Sequence, residues 1–220
     1  MGQLTLVIGN KNYSSWSLRA WLVLRQAGVE FEELRIPLYR PESRERVLPY
    51  SPTGLLPALR DGELRVWDSL AICEYLAERF PEKQLWPEDK GERAAARALA
   101  AEMHAGFPAL RRELPMNCRL HMGHYPISED VEADIARIRE IWRGCLERSA
   151  ARGPWLFGQF SIADAMYAPV ALRFHSYGVE LDGPEAAYRD HILRLPAIEE
   201  WMAEAVREAD DLEGGEASDR

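Results

Sequence analysis

Cysteine is scarce in this 220-residue chain: Cys73, Cys118 and Cys145 are the three present, and no two form a CxxC pair. That excludes a disulfide scaffold and a cysteine zinc site, and an odd number without a leader pattern points to free thiols in a reducing compartment. Long apolar runs are missing as well. No stretch approaches the roughly 20 apolar residues that cross a bilayer, and the N-terminus lacks the basic-then-apolar signal pattern, so a cytoplasmic protein is expected. Positive charge is in deficit: 27 Lys and Arg against 36 Asp and Glu leave a formal net charge of -9 and an isoelectric point near 5.2. Such a field repels nucleic acid and anionic membranes, so neither is an expected partner. Neither G-x-G-x-x-G nor the P-loop pattern occurs, and no nucleophile elbow is present.

What is present is a globular composition, 47% hydrophobic with mean hydropathy -0.34, in a length that suits one large domain or two small ones. The chain is organised around Asn12 to Phe31. Ser14 and Ser15 stand at the mouth of a segment in which Leu18, Trp21, Leu22 and Leu24 to Ala27 fall on helical spacing. Ser is a favoured N-cap and Gly28 a favoured stop. The apolar run Leu4 to Asn10 before it and Val29 to Pro37 after it read as strands. A strand, serine-bearing loop, helix and strand aim a helix N-terminus at a sheet edge, where small anions are commonly held. Ordinary capping accounts for the serines equally well.

A Pro-, Ser- and charge-rich connection follows, with a short helix expected at Ser43 to Val47. Two short strands, Ala58 to Arg60 and Leu64 to Trp67, flank Asp61-Gly62, a strong hairpin signal. Asp68 to Phe80 reads as a helix capped by Asp68 or Ser69 and stopped by Pro81. These elements make a small sheet of mixed direction. Composition shifts over Glu82 to Gly91, as in a linker. Beyond it the pattern is helical: Glu92 to Leu114 with an interruption at Gly106 to Pro108, and Ser128 to Ala151 opened by Ser128. Ser161 and Asp164 form an S-x-x-D capping pattern before the apolar run Ala165 to Phe174. The acidic residues from Glu208 to Arg220 read as a frayed tail. The expected division is therefore 1–81, a linker over 82–91, an all-helical domain over 92–207 and a tail over 208–220.

Four stretches, in this order and spacing, carry a resemblance: SSWSLR after the first strand, LLPAL with Pro57, WDSLAICEYL with Asp68-Ser69, and FSIADAMYAP. Together they resemble the cytosolic glutathione transferases, over all of the chain but the acidic tail. Within that family SSWSLR is most similar to the zeta-type signature, in which two serines and a cysteine precede S-x-R; here Trp16 replaces the cysteine. The resemblance implies a thioredoxin-like α/β N-terminal domain, an all-α C-terminal domain and a homodimer. It implies glutathione as co-substrate, with no metal. Its sulfur would be held as a thiolate by the hydroxyl of Ser14 or Ser15, aided by the helix N-terminus. Leu56 with a cis Pro57 would hold the cysteinyl part, and Asp68 and Ser69 the γ-glutamyl end. Lys11, Arg40 and Arg44 are candidates for the glycyl carboxylate.

A small electrophile would sit in an apolar pocket between the domains. Trp16 would stand on one side of it, with His104, Phe107 and Arg111 at i, i+3, i+7 spacing on the other. Interhelix packing explains that spacing too. His121, His124 and Tyr125 show no ligand spacing. The activity implied is attack on an electrophilic carbon, with isomerisation of maleylacetoacetate as the named alternative. A non-catalytic binding module is the rival reading. A glutathione-dependent reductase would need a cysteine between Asn12 and Arg19, where there is none.

Overall fold

The computed structural model describes residues 3–208. The tail expectation over 208–220 lies outside the described residues, except at Glu208.

Strand β1 (Leu4–Ile8) is buried along its whole length. It is central in a four-stranded sheet of order β2-β1-β3-β4. β1 pairs in parallel with β2 (Phe31–Arg35), Leu4 opposite Phe31 and Ile8 opposite Arg35, and antiparallel with β3 (Ala58–Asp61), Val7 opposite Ala58. β3 turns at Gly62 (φ 59°) into β4 (Leu64–Trp67), the antiparallel edge strand. The two-residue period of β1 feeds two cores. Leu4, Leu6 and Ile8 point to the main core, while Val7 joins Ile36, Ala58 and Val47, the last from helix α2 (Ser43–Val47), on the other face. β2 is shorter than the sequence pattern suggests. Gly28 takes φ 62° and Val29 N–H is spent on Leu24 O at 3.1 Å, closing the preceding helix instead of entering the sheet.

That helix, α1 (Ser15–Gln26), is buried on every side from Ser17 to Leu24. It packs on α3 (Ser69–Arg79) within the first half of the chain, and on α7 (Ile162–Ser176) and α9 (Pro196–Arg207) of the second. Trp21 stacks edge-on against Trp201 with ring centroids 5.1 Å apart. Burying side chains such as Leu18, Leu22 and Trp21 contributes about 1.5–3 kcal/mol each, so α1 belongs to both halves of the molecule.

The segment expected as a linker is packed: Leu85 and Trp86 are buried, Leu85 O accepts Ile162 N–H at 2.9 Å and Trp86 donates to Glu74 at 3.1 Å. Helix α4 (Lys90–Ala105) begins two residues earlier than its apolar period suggests, because Asp89 caps Glu92 N–H at 2.8 Å. Helices α5 (Pro108–Glu113), α6 (Glu129–Ser149) and α8 (Gly183–Leu193) complete the all-helical half. At the start of α7, Ser161 and Asp164 form a reciprocal capping box. Among the described residues, no helix is long and apolar enough to cross a membrane.

Candidate active site

A cleft of about 440 Å³ opens where the starts of α1 and α3 meet the β3 entry and α4; its walls are Trp16, Thr53, Leu55, Leu56, Pro57, Trp67, Asp68, Ser69 and His104. A larger groove of about 1040 Å³ runs along α6, but its arginines are spent on ion pairs, Arg139 with Asp182 at 2.5 Å and Arg143 with Glu185 at 2.6 Å. Around the smaller cleft, Ser69, His104 and Trp16 each keep a buried polar atom without a hydrogen-bond partner among the described residues.

The α3 side leaves polar atoms facing the cleft. Asp68 caps the helix, accepting from Leu70 N–H at 2.9 Å and Ala71 N–H at 3.2 Å, in a backbone conformation (φ 75°, ψ 132°) that non-glycine residues rarely hold. Its second oxygen lies 3.1 Å from His104 Nε2. Burial works against the Asp68 carboxylate, but the His104 hydrogen bond and charge and the two N–H groups outweigh it and keep its pKa below the ordinary value. Ser69, 2% exposed, has no hydrogen-bond partner for Oγ among the described residues, and the same holds for His104 Nδ1 and Trp16 Nε1. Buried polar atoms without partners cost free energy, and three of them stand around this one cleft. The Leu56-Pro57 peptide bond is cis, and both residues line the cleft.

The α1 side is more reserved. Ser14 is the N-cap: it accepts from Ser17 N–H at 3.3 Å and donates to Ser17 Oγ at 2.8 Å, while Ser17 Oγ accepts Gly9 N–H at 3.0 Å. Ser14 is 5% exposed and Ser15 is fully buried, so the side chain that α1 presents to the cleft is Trp16. Behind Trp16 stand two guanidinium groups, Arg19 at 4.3 Å and Arg111 at 4.7 Å from its ring centre. None of the three Arg19 nitrogens has a hydrogen-bond partner among the described residues. Complete burial, then the neighbouring Arg111 charge, lower its pKa to about 9, and burial lowers that of Arg111 to about 10. Both remain cationic at neutral pH behind the Trp16 wall, while the Asp68 carboxylate stands in the cleft itself.

Of the four residues expected in the electrophile pocket, Trp16 and His104 meet in it, ring centroids 5.2 Å apart. Phe107 does not: α4 ends at Ala105, and Phe107 (φ 62°) starts a new helix with its side chain in the core, so the helical spacing breaks at Gly106. Arg111 lies behind Trp16, with Nε on Gly106 O at 3.0 Å. Lys11 is withdrawn as a candidate for an anion, being 3% exposed and ion-paired to Glu33 at 2.8 Å and to Glu204. Arg44 reaches the rim, donating to Thr53 O at 3.1 Å. Cys73 is buried in the core and its thiol pKa is pushed far up by that burial. Among the described residues, no group of three or more His, Cys, Asp or Glu could hold a metal ion. Sequence reading took Arg19 only as the arginine of the S-x-R motif and missed it as a buried charge behind Trp16; it also missed Thr53, Leu55 and Trp67 as walls. Arg19 had a signal, since a charge in a stretch that is apolar all round has to be buried.

Comparison with known proteins agrees with this geometry. Residues 13–79 match the N-terminal domain of glutathione S-transferases and residues 93–204 the C-terminal domain. The chain is 30% identical over 178 residues to a maleylacetoacetate isomerase of Pseudomonas aeruginosa, covering 78% of this chain and 82% of that one. It is 27% identical over 169 residues to a stringent starvation protein A homolog of Haemophilus ducreyi, 76% and 74% of the two chains. A Burkholderia glutathione transferase homolog, solved with bound glutathione, superposes with a TM-score of 0.70 at 22% identity over 94% of this chain and all of that one. A two-domain fold of a thioredoxin-like unit and a helical bundle, with a cleft at the first helix starts, is the class so defined. The chain belongs to the glutathione S-transferase family.

Proposed function

We propose that the protein binds glutathione in this cleft and ionises its thiol for attack on a small electrophile. The observation that carries the reading is the convergence of the α1 and α3 starts on one cleft beside cis Pro57, with Ser69 Oγ unpaired. The γ-glutamyl carboxylate would accept from Ser69 and the first-turn amides of α3, and its ammonium would meet Asp68. Leu56 would hold the cysteinyl backbone, and Arg44 at the rim is the basic residue best placed for the glycyl carboxylate.

The sulfur would lie over the start of α1. A thiol must lose its proton to become the nucleophile. Ser14 would turn its O–H from Ser17 Oγ to the sulfur, while Ser17 keeps Gly9 N–H. One charge-assisted hydrogen bond of ~1.5–3 kcal/mol lowers a thiol pKa by roughly one to two units; the helix dipole and the two buried arginines act in the same direction. The thiolate then forms a carbon–sulfur bond and displaces a leaving group, or adds to a double bond and is expelled after rotation. The second outcome is isomerisation of the maleylacetoacetate type, which the Pseudomonas relative supports. Exposed Leu64 on edge strand β4 supports a homodimer through that edge.

Steady-state turnover with glutathione and a small electrophile tests the serine. Ser14→Ala should lower kcat about tenfold or more while glutathione affinity changes less than about threefold; unchanged kcat removes the serine from the mechanism. A non-catalytic module is the second reading, favoured by the inward-turned Ser14 hydroxyl. It takes the lead if no saturable glutathione binding is seen.

A further inference from the structure

The serine loop is fastened from the far end of the chain. Asn10 O closes the turn by accepting Ser14 N–H at 2.9 Å, and two of the three residues inside the turn, Lys11 and Asn12, are 3% and 1% exposed. Their four backbone polar groups all find partners in the helical half. Lys11 N–H donates to Glu208 Oε1 at 2.7 Å and Asn12 N–H to Glu208 Oε2 at 3.2 Å. Lys11 O accepts from Trp201 Nε1 at 2.8 Å, and Asn12 O from Cys118 N–H at 3.2 Å. The Lys11 ammonium, meanwhile, is gripped by Glu33 and by Glu204 of α9, between the Trp21 and Trp201 rings at 5.2 and 5.3 Å.

Glu208 follows α9 directly. Sequence composition assigns it to a frayed acidic tail, yet its side chain is only 6% exposed, and its carbonyl accepts from Arg119. A buried carboxylate that spends one oxygen on each of two successive backbone N–H groups, 197 and 196 residues away in sequence, sets where those residues sit. Two residues on, the same chain carries the hydroxyl assigned to sulfur.

We infer that Glu208 is a positioning residue: its carboxylate fixes the Lys11-Asn12 turn, and through it the aim of Ser14 and the α1 start at the glutathione sulfur. The inference rests on the glutathione reading for its consequence, but the clamp itself can be read without any ligand. Sign separates positioning from simple charge. Deleting a carboxylate removes negative potential and would lower a nearby thiol pKa, whereas misplacing the hydroxyl and helix end raises it.

The experiment compares wild type, Glu208→Ala, Glu208→Gln, which keeps the shape and one acceptor oxygen, and Glu200→Ala, which removes one charge from the preceding helix α9 at a residue paired with Arg25. Two quantities are measured: amide hydrogen exchange over residues 11–14 in the free protein, and the thiolate absorbance of bound glutathione as a function of pH. Glu208→Ala should speed exchange at Lys11 and Asn12 about tenfold relative to the α7 amides and raise the bound thiol pKa by about one unit. Glu208→Gln should lie between it and wild type, and Glu200→Ala should match wild type in both. Unchanged exchange at residues 11–14 in Glu208→Ala overturns the clamp. Faster exchange with an unchanged or lower thiol pKa, or an equal shift in Glu200→Ala, overturns the positioning role. If wild type binds glutathione without ionising it, or not at all, the parent reading has failed, and with it the role assigned to Glu208. The exchange data still decide whether the clamp exists.

Discussion

Two helix starts in this molecule use the same residue types in opposite ways. At α7, the Asp164 carboxylate accepts four hydrogen bonds, from Leu156 N–H at 3.0 Å, Ser161 N–H at 2.8 Å, Ser161 Oγ at 3.0 Å and Tyr188 Oη at 2.9 Å, and it is 1% exposed. At α3, Asp68 leaves one oxygen to His104 beside the cleft, and Ser69 Oγ bonds to nothing among the described residues. The α7 cap is closed on itself and holds the helical half together. The α3 cap, like the guanidinium of Arg19 behind Trp16, leaves polar atoms without a hydrogen-bond partner among the described residues, and these are what the proposed glutathione would use.

The largest expected effect comes from breaking the closed cap. Asp164→Ala strands four donors, two of them backbone, and should cost about 3–5 kcal/mol of unfolding free energy by denaturant titration. The fraction still folded should bind glutathione normally. The carboxylate also leaves a pH signature. Burial, only partly offset by its donors, raises its pKa from 3.8 to about 6. The native state therefore holds this proton more tightly than the unfolded chain. The associated stability is complete below pH 3.8 and is lost as pH rises through about 6. Asp164→Asn, which does not titrate, should flatten that part of the stability profile.

Next in size is the buried charge of the open site. Arg19→Met replaces an unpartnered guanidinium by an apolar chain of similar length and should raise unfolding free energy by about 1–3 kcal/mol, while raising the pKa of bound glutathione. A loss of stability instead would mean that Arg19 has a structural partner. The smallest effect on the fold is expected at Ser69. Because its hydroxyl bonds to nothing within the described protein, Ser69→Ala should change stability by less than about 0.5 kcal/mol, yet weaken glutathione binding roughly tenfold, the equivalent of about 1.4 kcal/mol. Equal losses in both would make it an ordinary cap.

The contrast also marks how far sequence reading reaches. Elements set by local chemistry were legible: the Asp61-Gly62 hairpin, the Ser43–Val47 helix, the Asp68 cap and the Ser161 to Asp164 capping box all lie where turn and cap preferences put them. So were the cleft walls Leu56, Pro57, Asp68 and Ser69, through resemblance of their motifs. One failure was local: the helix break expected at Gly106 to Pro108 is there, and it takes Phe107 off the face that carries His104. The others depended on distant parts of the chain. Lys11 looks like a surface cation until α9 brings Glu204 to it, and Glu208 like tail until its carboxylate meets the turn it caps. The serines were legible as a cap; that both are buried and that Trp16 is the α1 side chain lining the cleft was not.

The measurement closest to the central claim is a calorimetric titration of the protein with glutathione near neutral pH, in two buffers of different ionisation enthalpy. A cleft that ionises the thiol predicts saturable binding whose apparent enthalpy differs between the buffers in proportion to the protons released. Saturable binding with the same enthalpy in both buffers, or no binding, would contradict it.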